Sequence, residues 1–522
     1  MSSGQSWKPA SNPWLVAMTV TLAVFMEILD TTIVNVALPH VAGSLSASYD
    51  ESTWVLTSYL VANGIVLPIS AFLSRLLGRK QFFLICIVMF TVCSFLCGIA
   101  TELWQIILFR VLQGFFGGGL QPVQQSVLLD YFKPADRGKA FGLSSIAVIV
   151  APVLGPTLGG WITDNYSWRW VFFINIPVGI LSVLAIYQLL EDPPWERKWA
   201  KGKLRVDYIG ISLITLGLGC LQVMMDRGED EDWFQSSFIV TFALLALTGI
   251  VGAIYWLLYA KKPVVDLHVL KDKNFAVASL LMAGMAAILY GSSVVIPQLA
   301  QQDLGYTATL SGLVLSPGAV LIVLSIPLVL KLMPIIQTRW LIAFGFTLLC
   351  VSFIYSATLT PNIDFTTLVL MRSFQTIGLG FLFVPLTTIA FVTIPQKLNA
   401  DASALFTMFR NVAGSIGISL STAMITERSQ ARSAEMVHNM TPLNEPFNLA
   451  VERWAQGVRD FAHTVGDPVT IATGQLYQQM IVQSRFLAYI DVFMGLSLLA
   501  LVLIPFCLLL APIKSEGSAG AH

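Results

Sequence analysis

Apolar residues run along this chain in blocks of about twenty, parted by short polar segments. A helix rises about 1.5 Å per residue, so each block is long enough to cross the hydrocarbon core of a bilayer. The pattern predicts fourteen such spans. The first six lie near 14–39, 53–73, 81–100, 103–129, 139–162 and 169–190, and two more near 207–226 and 236–259. The last six lie near 275–299, 311–333, 339–359, 366–392, 402–426 and 485–511. Pro68, Pro122, Pro156, Pro177, Pro317 and Pro385 fall inside them. They predict kinked helices whose neighbours re-satisfy the freed backbone groups. The expected fold class is an all-α polytopic membrane protein.

Polar segments orient the spans. Lys and Arg collect after span 2 (Arg75, Arg79, Lys80) and after span 4 (Lys133, Arg137, Lys139). They collect again after span 6 (Arg197, Lys198, Lys201, Lys203, Arg205) and after span 8 (Lys261, Lys262, Lys271, Lys273). The alternate short loops hold few, and the one after span 7 is acidic, with Glu229, Asp230, Glu231 and Asp232. Basic loops stay on the cytoplasmic side, so both termini are expected there. The N-terminal segment has no short apolar core with a cleavage site, so the first span is expected to be retained.

Composition narrows the classes. Of 522 residues 56% are hydrophobic and 11% charged, with a mean hydropathy of +0.74. Net charge is zero, which leaves no basic footprint for nucleic acid. The six cysteines (Cys86, Cys93, Cys97, Cys220, Cys350, Cys507) lie in apolar runs with no metal or disulfide spacing. No phosphate loop, zinc-spaced His pair or nucleophile elbow is present, so neither direct ATP use nor an enzyme is expected.

An internal repeat organises the chain. Span 4 reads Phe109-Arg110-Val111-Leu112-Gln113-Gly114 and span 12 reads Met371-Arg372-Ser373-Phe374-Gln375-Thr376. Both keep Arg-x-x-Gln and run on to a proline, Pro122 or Pro385. The two match if six-helix halves at 1–190 and 275–522 flank an inserted pair at 191–274. Such repeats place a binding site between the halves near mid-membrane, with rocking giving alternating access.

Charges inside the spans carry the candidate chemistry. Glu27 and Asp30 sit mid-span, where an ionised acid costs a few kcal/mol or more and is kept mainly for function. Glu27, Thr31 and Asn35 recur every fourth residue, with Asp30 beside them, as one polar stripe. Desolvated acids bind protons, and a cationic substrate competes for the same negative site. Arg110 needs a buried counter-charge, and Arg372 and Arg410 are the corresponding cations of the second half, Arg410 with Asn411. Asn63, Gln113, Gln121, Gln124 and Gln125, with Tyr59, Phe116, Tyr290, Phe381 and Phe383, are candidates to line a polar-aromatic cavity for amphiphiles. Asp491 lies near enough to the outer surface to be solvated. The segment 427–484 is expected outside the membrane. Phe447, Val451, Trp454, Val458 and Phe461 give it an amphipathic helix, lying on the protein's own surface or docking a partner.

The motifs resemble those of the major facilitator superfamily. Arg110 to Gly114, followed by Gly117-Gly118-Gly119, is similar to its fourth-span signature. Gly155-Pro156-Thr157-Leu158-Gly159-Gly160 is similar to the antiporter signature of its drug exporters. The run Leu29 to Pro39 resembles the first-span signature of the 14-span drug:proton antiporter branch. Trp168 to Pro177 and Arg410 to Gly417 fit the same branch, closest to EmrB-type inner-membrane exporters. The resemblance implies export of hydrophobic or cationic toxic compounds driven by the proton gradient, with no cofactor. It also implies a periplasmic adaptor (an EmrA-type membrane fusion protein) and a TolC-type outer-membrane channel as partners. Asp30 falls inside the signature and Glu27 outside it, which assigns Asp30 to proton coupling and Glu27 to substrate charge. One departure stands out: the superfamily's acid after span 2 is here Arg75, and the following Arg is Leu76. The cytoplasmic latch must then run through another group, with Asp130 and Asp136 as candidates. A dedicated exporter of one metabolite, an importing symporter and a non-transporting sensor are the rival readings.

Overall fold

The computed structural model describes residues 9–193, 206–261, 263–361, 363–462 and 467–512. The basic residues at 197–205 and Lys262 lie outside these ranges, as do the side chains of Val458 and Phe461. Among the described residues all regular structure is helical, and thirteen helices are long and apolar enough to cross a membrane. The chain is an all-α, multi-pass membrane protein.

Local chemistry sets the helix ends. Helix α1 (Pro13–Ser44) starts on Asn12, whose side chain accepts from Trp14 N, with Pro13 in the first turn where no N–H is needed. Helix α2 (Tyr49–Leu77) opens on a reciprocal Ser48/Glu51 capping box. Helix α3 (Arg79–Ile99) follows Gly78, whose φ of 88° suits glycine. The expected fourth span is broken into α4 (Leu103–Gly117) and α5 (Leu120–Tyr131). Glycine is a poor helix former, and close packing requires it at the break. A Cβ on Gly118 would lie 2.6 Å from the Asn63 carbonyl oxygen, and one on Gly119 2.8 Å from Cys86 Sγ.

Helix α6 (Pro134–Asn165) spans unbroken despite Pro152 and Pro156. The expected sixth span divides into α7 (Trp170–Phe173) and α8 (Asn175–Leu189). The pair expected to be inserted forms α9 (Tyr208–Arg227) and α10 (Ser237–Tyr259). Then follow α11 (Lys273–Gln298), α12 (Ala308–Leu332), α13 (Thr338–Ser356) and α14 (Phe365–Ala390).

The C-terminal part departs most from expectation. Helix α15 (Asn399–Val437) is 39 residues long and α17 (Pro468–Leu503) is 36, both overrunning the spans expected at 402–426 and 485–511. Much of the 427–484 segment is thus continuous helix rather than loop, because polar residues extend a helix outside a bilayer without cost. Between them lies α16 (Glu445–Ala462). Its Phe447, Val451 and Ala455 pack on Ala472 and Leu476 of α17, so its apolar face covers the protein's own surface. Helix α15 holds the thirteenth expected span, 402–426, and is too polar to count on composition, although it packs against α11, α17 and α2.

Helices α1 to α8 form one bundle around the α1/α6 and α2/α4 contacts, and α11 to α17 another around α11/α15 and α13/α14. The bundles meet where α6 faces α12 and where α2 and α5 face α15, while α9 packs on both α2 and α15. The two Arg-x-x-Gln motifs make matching bonds. Arg110 Nη1 donates to Gln113 Oε1 at 2.9 Å, and Arg372 Nη1 to Gln375 Oε1 at 3.2 Å. Each guanidinium also reaches a residue eighty positions earlier, Asp30 or Ser292, on the first helix of its bundle.

Candidate functional site

The intramembrane acids of α1 form two adjoining clusters. Asp30 is fully buried and accepts from Arg110 Nη1 at 2.5 Å, Asn175 Nδ2 at 2.7 Å and Gln113 Nε2 at 3.2 Å. Arg110, also fully buried, donates from Nε to the Val55 carbonyl at 3.1 Å and lies over the Tyr59 ring, 4.1 Å from its centroid. A buried guanidinium survives only with such compensation. Asp30 is therefore the half of an ion pair closed within one bundle.

Glu27 is held differently. It accepts from Tyr59 Oη and Asn63 Nδ2, each at 3.1 Å, and from Gln121 Nε2 at 2.6 Å. All three donors are neutral. Gln121 Oε1 in turn accepts from Arg410 on α15, and Thr407 Oγ1, one turn away, donates to Gln125 Oε1 at 3.2 Å. Gln124 donates to Thr21 Oγ1 at 3.0 Å. Asn411 accepts from Arg410 Nε at 3.3 Å, and Tyr290 faces Gly414 on the next turn.

Other expected members stand apart. Thr31 spends its hydroxyl on the Glu27 carbonyl at 3.1 Å, and Asn35 is exposed, so the polar stripe does not extend along α1. Phe381 meets Phe344 of α13 edge to face, with ring centroids 5.2 Å apart, and Phe116 meets Phe115 in the same way. Arg372 bonds Ser292 and Ser293 where Arg110 has an acid. Asp491 accepts from Arg432 at 3.3 Å. The antiporter-like motif packs α6 directly on α1 beside Asp30. A Cβ on Gly155 would overlap Thr32, and one on Gly159 would come within 2.9 Å of the Ile33 carbonyl oxygen. Pro156 follows Gly155 within α6, and Gly160 is buried, its carbonyl accepting from Thr163 at 3.1 Å.

The altered segment falls in the last turn of α2 and keeps a charge contact with reversed polarity. Arg75 Nη1 binds Asp401, in the first turn of α15, at 2.5 Å, and Arg75 Nη2 donates to the Val264 carbonyl at 3.2 Å. Of the two candidate acids, Asp130 accepts from Arg79 at 2.6 Å and from Asn399 at 3.0 Å. Asp136 pairs instead with exposed Lys139 of its own helix. Reversing one charge, by Arg75→Asp or Asp401→Arg, is expected to lower stability by about 3 kcal/mol, read as a fall in the melting temperature in detergent. The exchange Arg75→Asp with Asp401→Arg should recover most of it; equal losses in all three variants would show that the contact contributes nothing.

Three polar residues escaped the sequence reading. Asn175, inside a quoted motif, anchors Asp30 and donates to Ser94 Oγ at 3.0 Å. Asp401 was legible as an acid at the start of an apolar run. Asp226 is an acid at the end of the seventh span that accepts from Thr57 of α2. Its signal was an Asp-Arg pair closing an apolar block.

Apolar helices threaded by a buried charge network, in two bundles that face each other, define a polytopic membrane transporter. The Major Facilitator Superfamily model matches residues 20–418, and the chain belongs to that superfamily. It is 36% identical over 523 residues to the multidrug export protein EmrB of Escherichia coli (strain K12), covering 99% of this chain and 100% of that one. It is 35% identical over 515 residues to the fatty acid resistance protein FarB of Neisseria gonorrhoeae, covering 98% and 99%. Two solved structures share the fold alone. The human organic anion transporter MFSD10 has a TM-score of 0.57 at 11% identity, covering 94% of this chain and 99% of that one. The proton:xylose symporter XylE has a TM-score of 0.56 at 13% identity, covering 93% and 94%.

Proposed function

We propose that this protein is a proton-coupled antiporter that exports hydrophobic or cationic drugs and toxic compounds across the bacterial inner membrane. The reading rests on one observation above others: two buried carboxylates, Glu27 and Asp30, on one membrane helix, with Arg110 as the partner of the second. Acids are retained in such a place mainly for function. Their protons would be taken up from outside and released inside as the halves at 1–190 and 275–522 rock about the inserted pair at 191–274. Glu27, Asn63, Gln113, Gln121, Gln124, Tyr290, Arg410 and Asn411 would line the substrate path. No cofactor is required, and both termini would be cytoplasmic.

Kinship with EmrB and FarB supports amphiphilic substrates in the plural, since the one is named for multidrug export and the other for fatty acid resistance. It also supports a periplasmic adaptor of the EmrA type and an outer-membrane channel of the TolC type as partners. Helix α16 would be the adaptor contact, through residues its own packing leaves outside, such as Trp454 at 39% exposure. Deleting residues 446–464 should abolish co-purification with an adaptor, and unchanged recovery would remove that role.

Proteoliposomes test the central reading. Adding a substrate such as ethidium to vesicles holding the protein should move protons in the opposite direction, and Asp30→Asn and Glu27→Gln should each stop that movement at equal protein content. Full activity in both variants would sink the mechanism.

A further inference from the structure

The hydrogen bonds of Glu27 lead out of its own bundle, whereas those of Asp30 do not. Asp30 is met by Arg110, Gln113 and Asn175, all on α4 or α8. Its charge is balanced inside the N-terminal bundle whatever the other bundle does. Among the described residues Glu27 has the neutral donors Tyr59, Asn63 and Gln121 alone, and the cation nearest along this network is Arg410 across the interface. Arg410 is 4% exposed, and among the described residues its hydrogen-bond partners are the amide oxygens of Gln121 and Asn411. One amide thus stands between a buried carboxylate and a buried guanidinium: its N–H faces the anion and its C=O faces the cation.

That arrangement is polarised end to end. A carboxylate pulling on the N–H strengthens the C=O as an acceptor, and hydrogen bonds in such a chain reinforce one another. Protonating Glu27 removes the anion, weakens the N–H contact and leaves Arg410 attracted to a neutral amide alone. We propose that Gln121 is a positioning residue that carries the charge state of Glu27 to Arg410. It holds the two bundles together at mid-depth while Glu27 is ionised and frees them once Glu27 is protonated. The inference rests on the proton-coupled reading above and names the acid and the contact through which coupling passes.

The surroundings give Glu27 no substitute. Tyr59 faces it from α2, Tyr290 from α11 and Arg410 from α15, with Asp30 one turn along α1 and Arg110 of α4 against the Tyr59 ring. Helix α6 carries ionisable groups only near its ends, at Asp136, Arg137, Lys139 and Asp164, and α5 only at Asp130 and Tyr131. Helix α7 and the part of α8 before Tyr187 carry none. The neighbouring Thr407 to Gln125 bond joins two neutral groups, so it does not sense the charge state of Glu27.

The experiment pairs two readouts on the full chain in lipid nanodiscs. Infrared titration follows the protonated-carboxyl band that Glu27→Gln removes. Spin labels on exposed Ser44 and Thr307, at the same end of the two bundles, report their separation. In the wild type, separation and carboxyl band should change with one shared midpoint pH. In Gln121→Met, which keeps the side-chain length, the carboxyl should still titrate. The separation should no longer follow pH. Arg410→Gln should lose the response in the same way, and the double variant should be no worse than either single one. A separation that tracks pH normally in Gln121→Met, or losses that add in the double variant, would overturn the bridge. Ethidium-driven proton movement, measured on the same preparations in liposomes, separates the two levels. A bridge that responds to pH in a protein moving no protons overturns the export reading alone. Coupled export with a separation indifferent to Gln121→Met overturns the bridge alone.

Discussion

Replacing Arg110 by leucine is expected to lower stability by about 3–5 kcal/mol, the cost of leaving a buried charge without its partner. The orphan is Asp30, which is fully buried and would keep only the amides of Gln113 and Asn175. Those two donors cannot replace a guanidinium at 2.5 Å. The loss extends beyond the pair, because Arg110 also ties α4 to the Val55 carbonyl of α2 and packs on Tyr59. Thermal melting in detergent reads the effect. The double replacement Arg110→Leu with Asp30→Leu should regain most of it, since an apolar pair of similar volume is often no less stable than a buried ion pair. A single variant as stable as the parent would mean that water, rather than Arg110, compensates Asp30.

The second large effect is steric. Gly155→Val should abolish export while leaving the protein in the membrane, because the new side chain would occupy the space of Thr32 and press on the Ile33 backbone. Helices α1 and α6 would have to part next to Asp30. Gly155→Ala should fall between, with activity reduced by at least about tenfold, the equivalent of about 1.4 kcal/mol. The control is Gly64→Ala, since a Cβ there meets nothing within 4 Å. Equal activity in the two alanine variants, measured at matched protein levels, would show that the α1/α6 approach has room to spare.

Much of this architecture was legible because a bilayer demands long apolar blocks, and length alone then marks the helices. The Arg-x-x-Gln pair at Arg110 and Arg372 pointed to a repeat, and in the structure both arginines bond their own glutamine in the same way. The need of Arg110 for a counter-charge directed attention to the α1 acids, and the structure joins it to Asp30 rather than Glu27. What stayed hidden depends on partners distant in the chain. The Arg75–Asp401 contact links residues 326 positions apart, and no local pattern announces it. Phe381 illustrates the opposite failure: an aromatic on a membrane helix looks the same whether it faces a cavity or, as here, another ring. The breaks after Gly117 and Phe173 were blurred because apolarity continues through them while backbone geometry does not. The overrun of α15 and α17 was missed because hydropathy registers where a membrane ends, not where a helix ends.

That overrun gives the C-terminal bundle a lever. From Arg410 to Val437 one uninterrupted helix runs roughly 40 Å at about 1.5 Å per residue. With α17 beside it over its outer part, it is braced against bending. A tilt of about 10° at the level of Arg410 therefore moves the far tip sideways by roughly 7 Å. A modest tilt set deep in the membrane is thus felt outside it as a displacement larger than a water molecule.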